Sequence, residues 1–267
     1  SRDVEKADTL LAQHEELCAG TAQLAMASFS VRAVVLRHKG KPTDAVDAYR
    51  QAIDVVSEST SDRDRAWLIQ GQCFNLSVAN RVDESLVLVK ELKTLVEGNS
   101  YGMLQIRCLI FEAFFLFRDG DVEGAAFGYR KASRLALHLG HSEEFATLRR
   151  KLALALRTLG DAVGAHRARA DVFNLLDSEQ HANVYAPLLM DEALYVQSLG
   201  DQEQAIRLAE QALRLCRDRV SPARTLTVLH NVCSVGLWAE RAFPFHDALD
   251  WFDELCREQD MPYYSAS

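Results

Sequence analysis

The amino-acid sequence predicts an all-α fold built as a regular array of helix pairs, and three observations support this prediction. Turn-forming residues are sparse: the 267 residues include 13 glycines and 5 prolines, fewer than an all-β or α/β chain of this length needs for its turns. A small turn residue recurs every 40 positions, at Gly40, Asn80, Gly120, Gly160 and Gly200. The segment before each turn has apolar residues at i, i+3, i+7 and i+10, a spacing that places them on one helical face.

These apolar stripes predict the first helix of each repeat unit. The stripe begins with Met26, Phe29, Ala33 and Leu36, and it recurs in the same register at Ala66, Ile69, Cys73 and Leu76, at Ile106, Leu109, Ala113 and Leu116, at Ala146, Ala153 and Leu156, at Ala186, Leu189, Ala193 and Val196, and at Leu226, Leu229, Cys233 and Gly236. Arg149 is the one exception to the pattern. The small residue in the third position lets a neighbouring helix approach closely.

A second apolar-periodic helix follows each turn, as in Ala45, Tyr49, Ala52 and Ile53. Its start signals agree with this prediction. Pro42 lies in the first turn of one such helix, and Asp121, Asp161 and Asp201 follow their glycines as expected N-caps, with Gln204 placed to complete a capping box with Asp201. Ser61, Ser142 and Ser221-Pro222 are predicted starts of first helices. The repeating unit is therefore a helix, a short turn and a second helix.

The repeat organisation predicts one domain over residues 1–267, a fragment of a larger protein. An extra helix is expected at 1–19, followed by six repeats at about 20–60, 61–99, 100–140, 141–180, 181–220 and 221–260. The last repeat keeps the pattern only if about three residues are inserted around Phe243-Pro244-Phe245. Terminal units of such arrays are commonly atypical because they cap the stack.

The turn and second-helix residues resemble the tetratricopeptide (TPR) repeat family. The signature is a turn glycine, an alanine five residues on, an aromatic four further and an alanine three after that, as in Gly40, Ala45, Tyr49 and Ala52. It recurs in Gly120, Ala125, Tyr129 and Ala132. The period of 40 departs from the usual 34 and is similar to variants in Pins-type adaptors, kinesin light chains and bacterial signalling regulators. The resemblance implies a right-handed α-solenoid with a binding groove lined by its first helices.

Carried onto this chain, the groove positions of the TPR family correspond to twelve residues: Arg37, His38, Trp67, Gln70, Phe74, Arg107, Phe114, Phe117, Arg150, Arg157, Met190 and Gln197. Arginine and aromatic side chains dominate this set. Because arginine grips carboxylates or phosphates and aromatics are rigid apolar anchors, one interpretation is a groove for an acidic segment with apolar anchors. The alternative is that the arginines are simply solvated and that Phe114 and Phe117 pack between units.

Composition argues against several other classes of function. The formal net charge of −8 disfavours direct nucleic-acid binding through bulk positive charge. No apolar run approaches the roughly 18 residues of a membrane span. The six cysteines include no CxxC pair, which indicates a reducing, cytoplasmic location.

Neither a cofactor, a metal nor a catalytic site is predicted. His14 with Cys18 and His138 with His141 each offer two ligands at most, whereas zinc sites use three or four protein ligands. The sequence contains no GxSxG, P-loop, HExxH or GxGxxG motif. Cys73 and Cys233 occupy the small packing position of the stripe, so buried structural thiols are expected there.

Three functional hypotheses remain open. The first is a sensor or regulatory domain of a bacterial signalling protein, with an output domain such as a diguanylate cyclase or transcription regulator outside this chain. The second is a stand-alone adaptor that recruits a protein, and the third is an all-helical enzyme. A homodimer through the C-terminal repeat is a further prediction, with a plain hydrophobic core as the alternative interpretation of the same apolar side chains: Leu237, Trp238, Phe243, Phe245, Trp251 and Phe252.

Overall fold

The structure is a computed structural model that describes residues 22–39, 41–55, 60–237 and 245–258. Over these residues the chain forms twelve α-helices and no β-strand. The all-α class of helix-turn-helix repeats predicted from the sequence is confirmed. The extra helix predicted at 1–19 lies outside the described residues.

The helix boundaries follow the 40-residue period. The first helices of the repeats are α1 (Ala22–His38), α3 (Asp62–Val78), α5 (Gly102–Arg118), α7 (Ser142–Thr158), α9 (Ala182–Ser198) and α11 (Pro222–Leu237). The second helices are α2 (Pro42–Asp54), α4 (Val82–Val96), α6 (Val122–His138), α8 (Ala162–Leu175), α10 (Gln202–Asp218) and α12 (Phe245–Glu258). Successive helices of each kind begin 40 residues apart, except that α12 begins 43 residues after α10. This offset equals the predicted insertion of three residues, although residues 238–244 lie outside the described part.

The turns within the repeats explain the recurrent small residue. Gly160 and Gly200 have φ angles of 81° and 90°, and Asn80 takes the same left-handed conformation at 61°. A side chain with a Cβ is disfavoured in this region, and asparagine tolerates it better than most residues. The left-handed backbone conformation at these turns therefore explains why glycine or asparagine occupies them.

Aspartate caps begin three of the second helices, as the sequence predicts. The carboxylates of Asp121, Asp161 and Asp201 accept hydrogen bonds from backbone N–H groups two or three residues into each helix, at 2.9, 2.8 and 3.0 Å. The capping box predicted for Gln204 is wrong. Its side-chain oxygen accepts from Arg207 at 2.8 Å, because the N–H of Asp201 already donates to the Val196 carbonyl at 3.1 Å.

The chain divides into two compact units, an N-terminal unit up to Asp119 and a C-terminal unit from Gly120. In the N-terminal unit, α1 to α5 pack successively, and α3 also contacts α5. In the C-terminal unit the first helices α7, α9 and α11 contact one another in order, and α8 contacts both α7 and α9. The thiol of Cys233, expected to be buried at the small position of the last stripe, is only half-buried. The small stripe residues at 33, 73, 113, 153 and 193 are buried, as Ala33 and Ala193 illustrate. Close helix packing at these positions is thus observed within each unit.

Candidate functional site

The C-terminal unit contains a cleft of about 310 Å³ between α7, α8 and α9. Helix α7 supplies most of its wall, because the cleft-lining residues of α7 recur three or four positions apart and so share one helical face. The lining residues are Thr147, Arg150, Lys151, Ala153, Leu154 and Arg157 of α7, Arg169 of α8 and Asp191 of α9. Half of these side chains are cationic, which gives the cleft a basic character within a chain of negative net charge.

A bidentate ion pair joins two walls of the cleft. Both Nε and Nη2 of Arg150 donate to the carboxylate of Asp191, the Nη2 bond measuring 3.1 Å. Both side chains are partly buried. The fork of an arginine matches a carboxylate in this geometry, so the pair fixes α7 against α9 and neutralises one positive charge of the cleft.

Arg169 of α8 is the most buried cation of the cleft, with 3% of its side chain exposed. Its Nε donates to Glu192 of α9, and its Cζ lies 4.8 Å from the centre of the Tyr195 ring. Glu192 also makes a 2.8 Å hydrogen bond with Nδ1 of His166. The Nη2 atom of Arg169 is buried and has no hydrogen-bond partner. An unpartnered donor on a buried, charged side chain is uncommon in folded proteins.

The remaining two cations of the cleft have no carboxylate partner within the described part of the chain. Lys151 is half-buried, with its Nζ 5.9 Å from the centre of the Tyr129 ring, whereas Arg157 is exposed. Burial lowers the pKa of Lys151, and the nearby charge of Arg150 lowers it further. Because Asp191 and Glu192 offset two of the four cations, two positive charges remain uncompensated in and beside the cleft.

The predicted groove residues of the C-terminal unit divide into two groups. Arg150 and Arg157 both line the cleft, so the structure brings them together. Met190 is fully buried in the hydrophobic core, so its prediction as a groove residue is wrong: its position on α9 faces the neighbouring helices. Gln197 donates its side-chain amide to the Val235 carbonyl at 2.9 Å, a contact that joins α9 to α11.

The N-terminal unit places Trp67 and Gln70 in a second, largely apolar groove of about 510 Å³, formed with α1 side chains that include Val31 and Val34. Trp67 is 40% exposed. This groove supplies exposed apolar surface, but no unpaired cation lines it.

The other predicted groove residues of the N-terminal unit are partly used in packing. The Arg37 guanidinium lies 5.2 Å from the centre of the Phe74 ring, which stays 40% exposed. Phe114 packs against the core and meets Phe115 edge-on at 5.4 Å. Two more, Arg107 and Phe117, are half-buried, and the side chain of His38 lies outside the described residues.

Three residues of the cleft were not predicted as site residues from the sequence: Lys151, Arg169 and Asp191. A signal for Arg169 was available, because it occupies the register position that Tyr49 and Tyr129 hold in other repeats. A charged residue at a core position of a repeat needs a polar partner, and that requirement indicates a functional or pairing role. No comparable signal distinguishes Lys151 and Asp191 from ordinary surface charges.

Other predicted features fall partly within the described residues. Trp251 and Phe252 pack against the core of the C-terminal unit, as the core interpretation requires, whereas Trp238 and Phe243 and the side chains of Leu237 and Phe245 lie outside the described part. Burial raises the pKa of the Cys73 and Cys108 thiols to about 12, so neither is a ready nucleophile. The described residues contain no group of three metal-ligating side chains. None of the described helices is both long and apolar enough to cross a bilayer.

Comparison with known proteins shows the fold of this chain. The apo crystal structure of RapI, a TPR-like helical-repeat protein, superposes with a TM-score of 0.67 and 11% sequence identity over 88% of this chain and 84% of RapI. BtubC from P. vanneervenii gives a TM-score of 0.43 at 14% identity, over 97% of this chain and 92% of BtubC. An IFIT1 mutant solved with m7Gppp-AAAA gives a TM-score of 0.33 at 13% identity, over 88% of this chain and 60% of IFIT1. No family model and no curated protein matches the sequence, so the comparisons show a helical-repeat fold and not a specific family.

Proposed function

We propose that this chain is a non-catalytic, protein- or peptide-binding TPR-like scaffold of the 40-residue type. The observation that carries the proposal is the basic cleft of the C-terminal unit, where Lys151 and Arg157 have no carboxylate partner among the described residues. Carboxylates of an acidic partner segment would pair with these cations, and the segment's apolar residues would contact Leu154 and neighbouring apolar surface. A helical-repeat scaffold presents such a surface without a reactive centre.

We further propose that the scaffold is the sensor or regulatory part of a cytoplasmic bacterial signalling protein. The similarity of the 40-residue units to those of bacterial regulators supports this role. The domain content of the full gene tests it: an output domain after the repeats is the expected result, and a gene without one would contradict the regulatory role and favour a stand-alone adaptor.

Peptide titration tests the binding function directly. A fluorescein-labelled peptide with alternating glutamate and leucine residues is titrated with the protein and followed by fluorescence anisotropy, with the glutamine version of the peptide as the neutral comparison. We expect saturable binding of the acidic peptide that weakens with salt, since exposed charge pairs are screened. The double variant Lys151→Ala/Arg157→Ala, which removes the two cations without a carboxylate partner in the described part of the chain, should weaken it by about tenfold or more.

The matched control removes two arginines elsewhere in the same unit. Arg207 and Arg214 lie on α10, outside the cleft, so Arg207→Ala/Arg214→Ala changes the net charge by the same amount. This control should bind the peptide as the wild type does. Equal weakening by both double variants, or equal binding of the acidic and neutral peptides, would contradict the proposed function.

A further inference from the structure

We propose that the floor of the basic cleft is a subsite for one dianionic phosphoryl group, with Arg169 as its buried donor and Lys151 and Arg157 as its counter-charges. The inference rests on the proposed function in one respect only, because it concerns the same cleft. It goes further by naming the chemical group that the deepest part of the cleft accepts.

Arg169 carries a buried hydrogen-bond donor that has no partner. The side chain lines the cleft although it is almost wholly buried, and its Nη2 has no partner while Nε is held by Glu192. Glu192 and Tyr195 hold the guanidinium in place, so it is preorganised to donate. Tetrahedral phosphoryl oxygens accept hydrogen bonds from an arginine fork. A bound phosphoryl oxygen would satisfy the donor that the protein leaves open.

The charge balance of the cleft also favours a dianion. Asp191 neutralises Arg150 and Glu192 neutralises Arg169, which leaves the charges of Lys151 and Arg157. A phosphate monoester carries a charge of about −1.5 to −2 at pH 7, so one such group offsets both remaining cations. A single carboxylate would leave one of them uncompensated.

The size and lining of the cleft suit a phosphoryl group. A cleft of about 310 Å³ holds a phosphoryl group together with a small part of the molecule that carries it. Ala153 and Leu154 provide an apolar wall for that attached part. Nη2 of Arg169 is buried, so a ligand reaches it only when a side chain of the cleft moves aside. Lys151 and Arg157 line the same cleft and supply the counter-charges.

Calorimetric titration of the full chain with phenyl phosphate tests the subsite, with benzoate as a ring-matched monoanion at the same pH of 7.5 and the same ionic strength. We expect saturable binding of phenyl phosphate at one site and at least about tenfold weaker binding of benzoate. Lys151→Gln and Arg157→Gln should each weaken phenyl phosphate binding by about tenfold, the loss typical of one charge-assisted hydrogen bond. Arg214→Gln on α10, an exposed position outside the cleft, should leave it unchanged.

Arg169→Lys tests the fork itself, because the charge remains while the planar donor set is lost. We expect Arg169→Lys to weaken phenyl phosphate binding, and circular dichroism establishes whether this variant folds. If it does not fold, Lys151→Gln and Arg157→Gln keep the test decisive. No saturable binding of phenyl phosphate to the wild type, equal binding of benzoate, or equal weakening by Arg214→Gln would each overturn the inference.

Two sources of the phosphoryl group are distinguished by a third ligand, a phosphoserine peptide compared with its serine version. A phosphopeptide that binds at least tenfold more tightly than phenyl phosphate indicates a phosphorylated partner segment, and equal affinity indicates a small phosphate ester. Both results support the subsite. The unphosphorylated acidic peptide separates this inference from the proposed function. If the acidic peptide binds while phenyl phosphate does not, the subsite is wrong and the scaffold function stands. If phenyl phosphate binds while the acidic peptide does not, only the proposed binding of an acidic segment is overturned.

Discussion

The buried ion pair between Arg169 and Glu192 gives the most direct energetic test of how the cleft is built. Their side chains are 3% and 9% exposed, so solvent screens the pair little. Removing one member of a buried pair destabilises a protein by about 3–5 kcal/mol, because the other charge stays buried without a partner. Glu192→Met should therefore lower the free energy of unfolding by about 3 kcal/mol or more.

The reciprocal change should be milder. Arg169→Met leaves Glu192 with its 2.8 Å hydrogen bond to Nδ1 of His166, so we expect a loss of about 2 kcal/mol, in the range of one hydrogen bond to a charged group. The double variant Arg169→Met/Glu192→Met should lose less than Glu192→Met alone, because an apolar pair of similar volume replaces the ion pair.

Urea unfolding monitored by circular dichroism measures all three variants. The exposed pair of Arg207 and Glu203 on α10, 3.1 Å apart, is the matched control, and its methionine variants should leave the free energy of unfolding almost unchanged. If Glu192→Met destabilises no more than this control, or less than Arg169→Met, the reasoning from burial and from the His166 contact is refuted.

Two further predictions concern packing and pH. A Cβ at Gly71 would lie 2.5 Å from Cε1 of Tyr49 and 2.7 Å from its hydroxyl. Gly71→Ala should therefore lower the free energy of unfolding, measured in urea melts, by about 1–2 kcal/mol, which is the overpacking penalty less the gain in helix propensity. Adding Tyr49→Leu should recover most of this loss, and a Gly71→Ala variant as stable as the wild type would contradict the packing. Burial raises the pKa of Tyr129 to about 12, above its ordinary value of about 10, so the stability that the neutral phenol contributes is complete below pH 10 and is lost as the pH rises towards 12. Between pH 8 and pH 11 the wild type should therefore lose about 1 kcal/mol more than Tyr129→Phe, and equal losses would show that the phenol ionises as freely in the folded protein as in the unfolded one.

The sequence predicted the helices well because the signals for them are local. The turn at Gly200 needs a left-handed conformation, the carboxylate of Asp201 caps the next helix, and the apolar stripe defines a face, and each of these acts within a few residues. The repeat multiplies the same signal, so the 40-residue step and even the offset before α12 could be anticipated. The failed capping box at Gln204 shows the limit of this approach, because the N–H of Asp201 has a competing acceptor in the preceding helix turn.

The candidate site was predicted only in part, since its chemistry depends on which helices meet. Arg150 and Arg157 were expected as groove residues from their place in α7, but nothing local shows that Asp191 pairs with Arg150 from 41 residues away. The error at Met190 has the same origin. The groove offset carried over from the TPR resemblance places Met190 towards a ligand, whereas the packing of α9 among its neighbours buries it completely.

By itself the sequence determined a helical repeat with a constant step, because capping, turn conformation and amphipathic periodicity are properties of short segments. Only the tertiary structure decided which charges are neutralised and which remain available. Packing α7, α8 and α9 together pairs Arg150 with Asp191 and Arg169 with Glu192 and leaves Lys151 and Arg157 without carboxylates in the described part of the chain. Electrostatic balance depends on distances between helices, and no pattern within a single helix contains those distances.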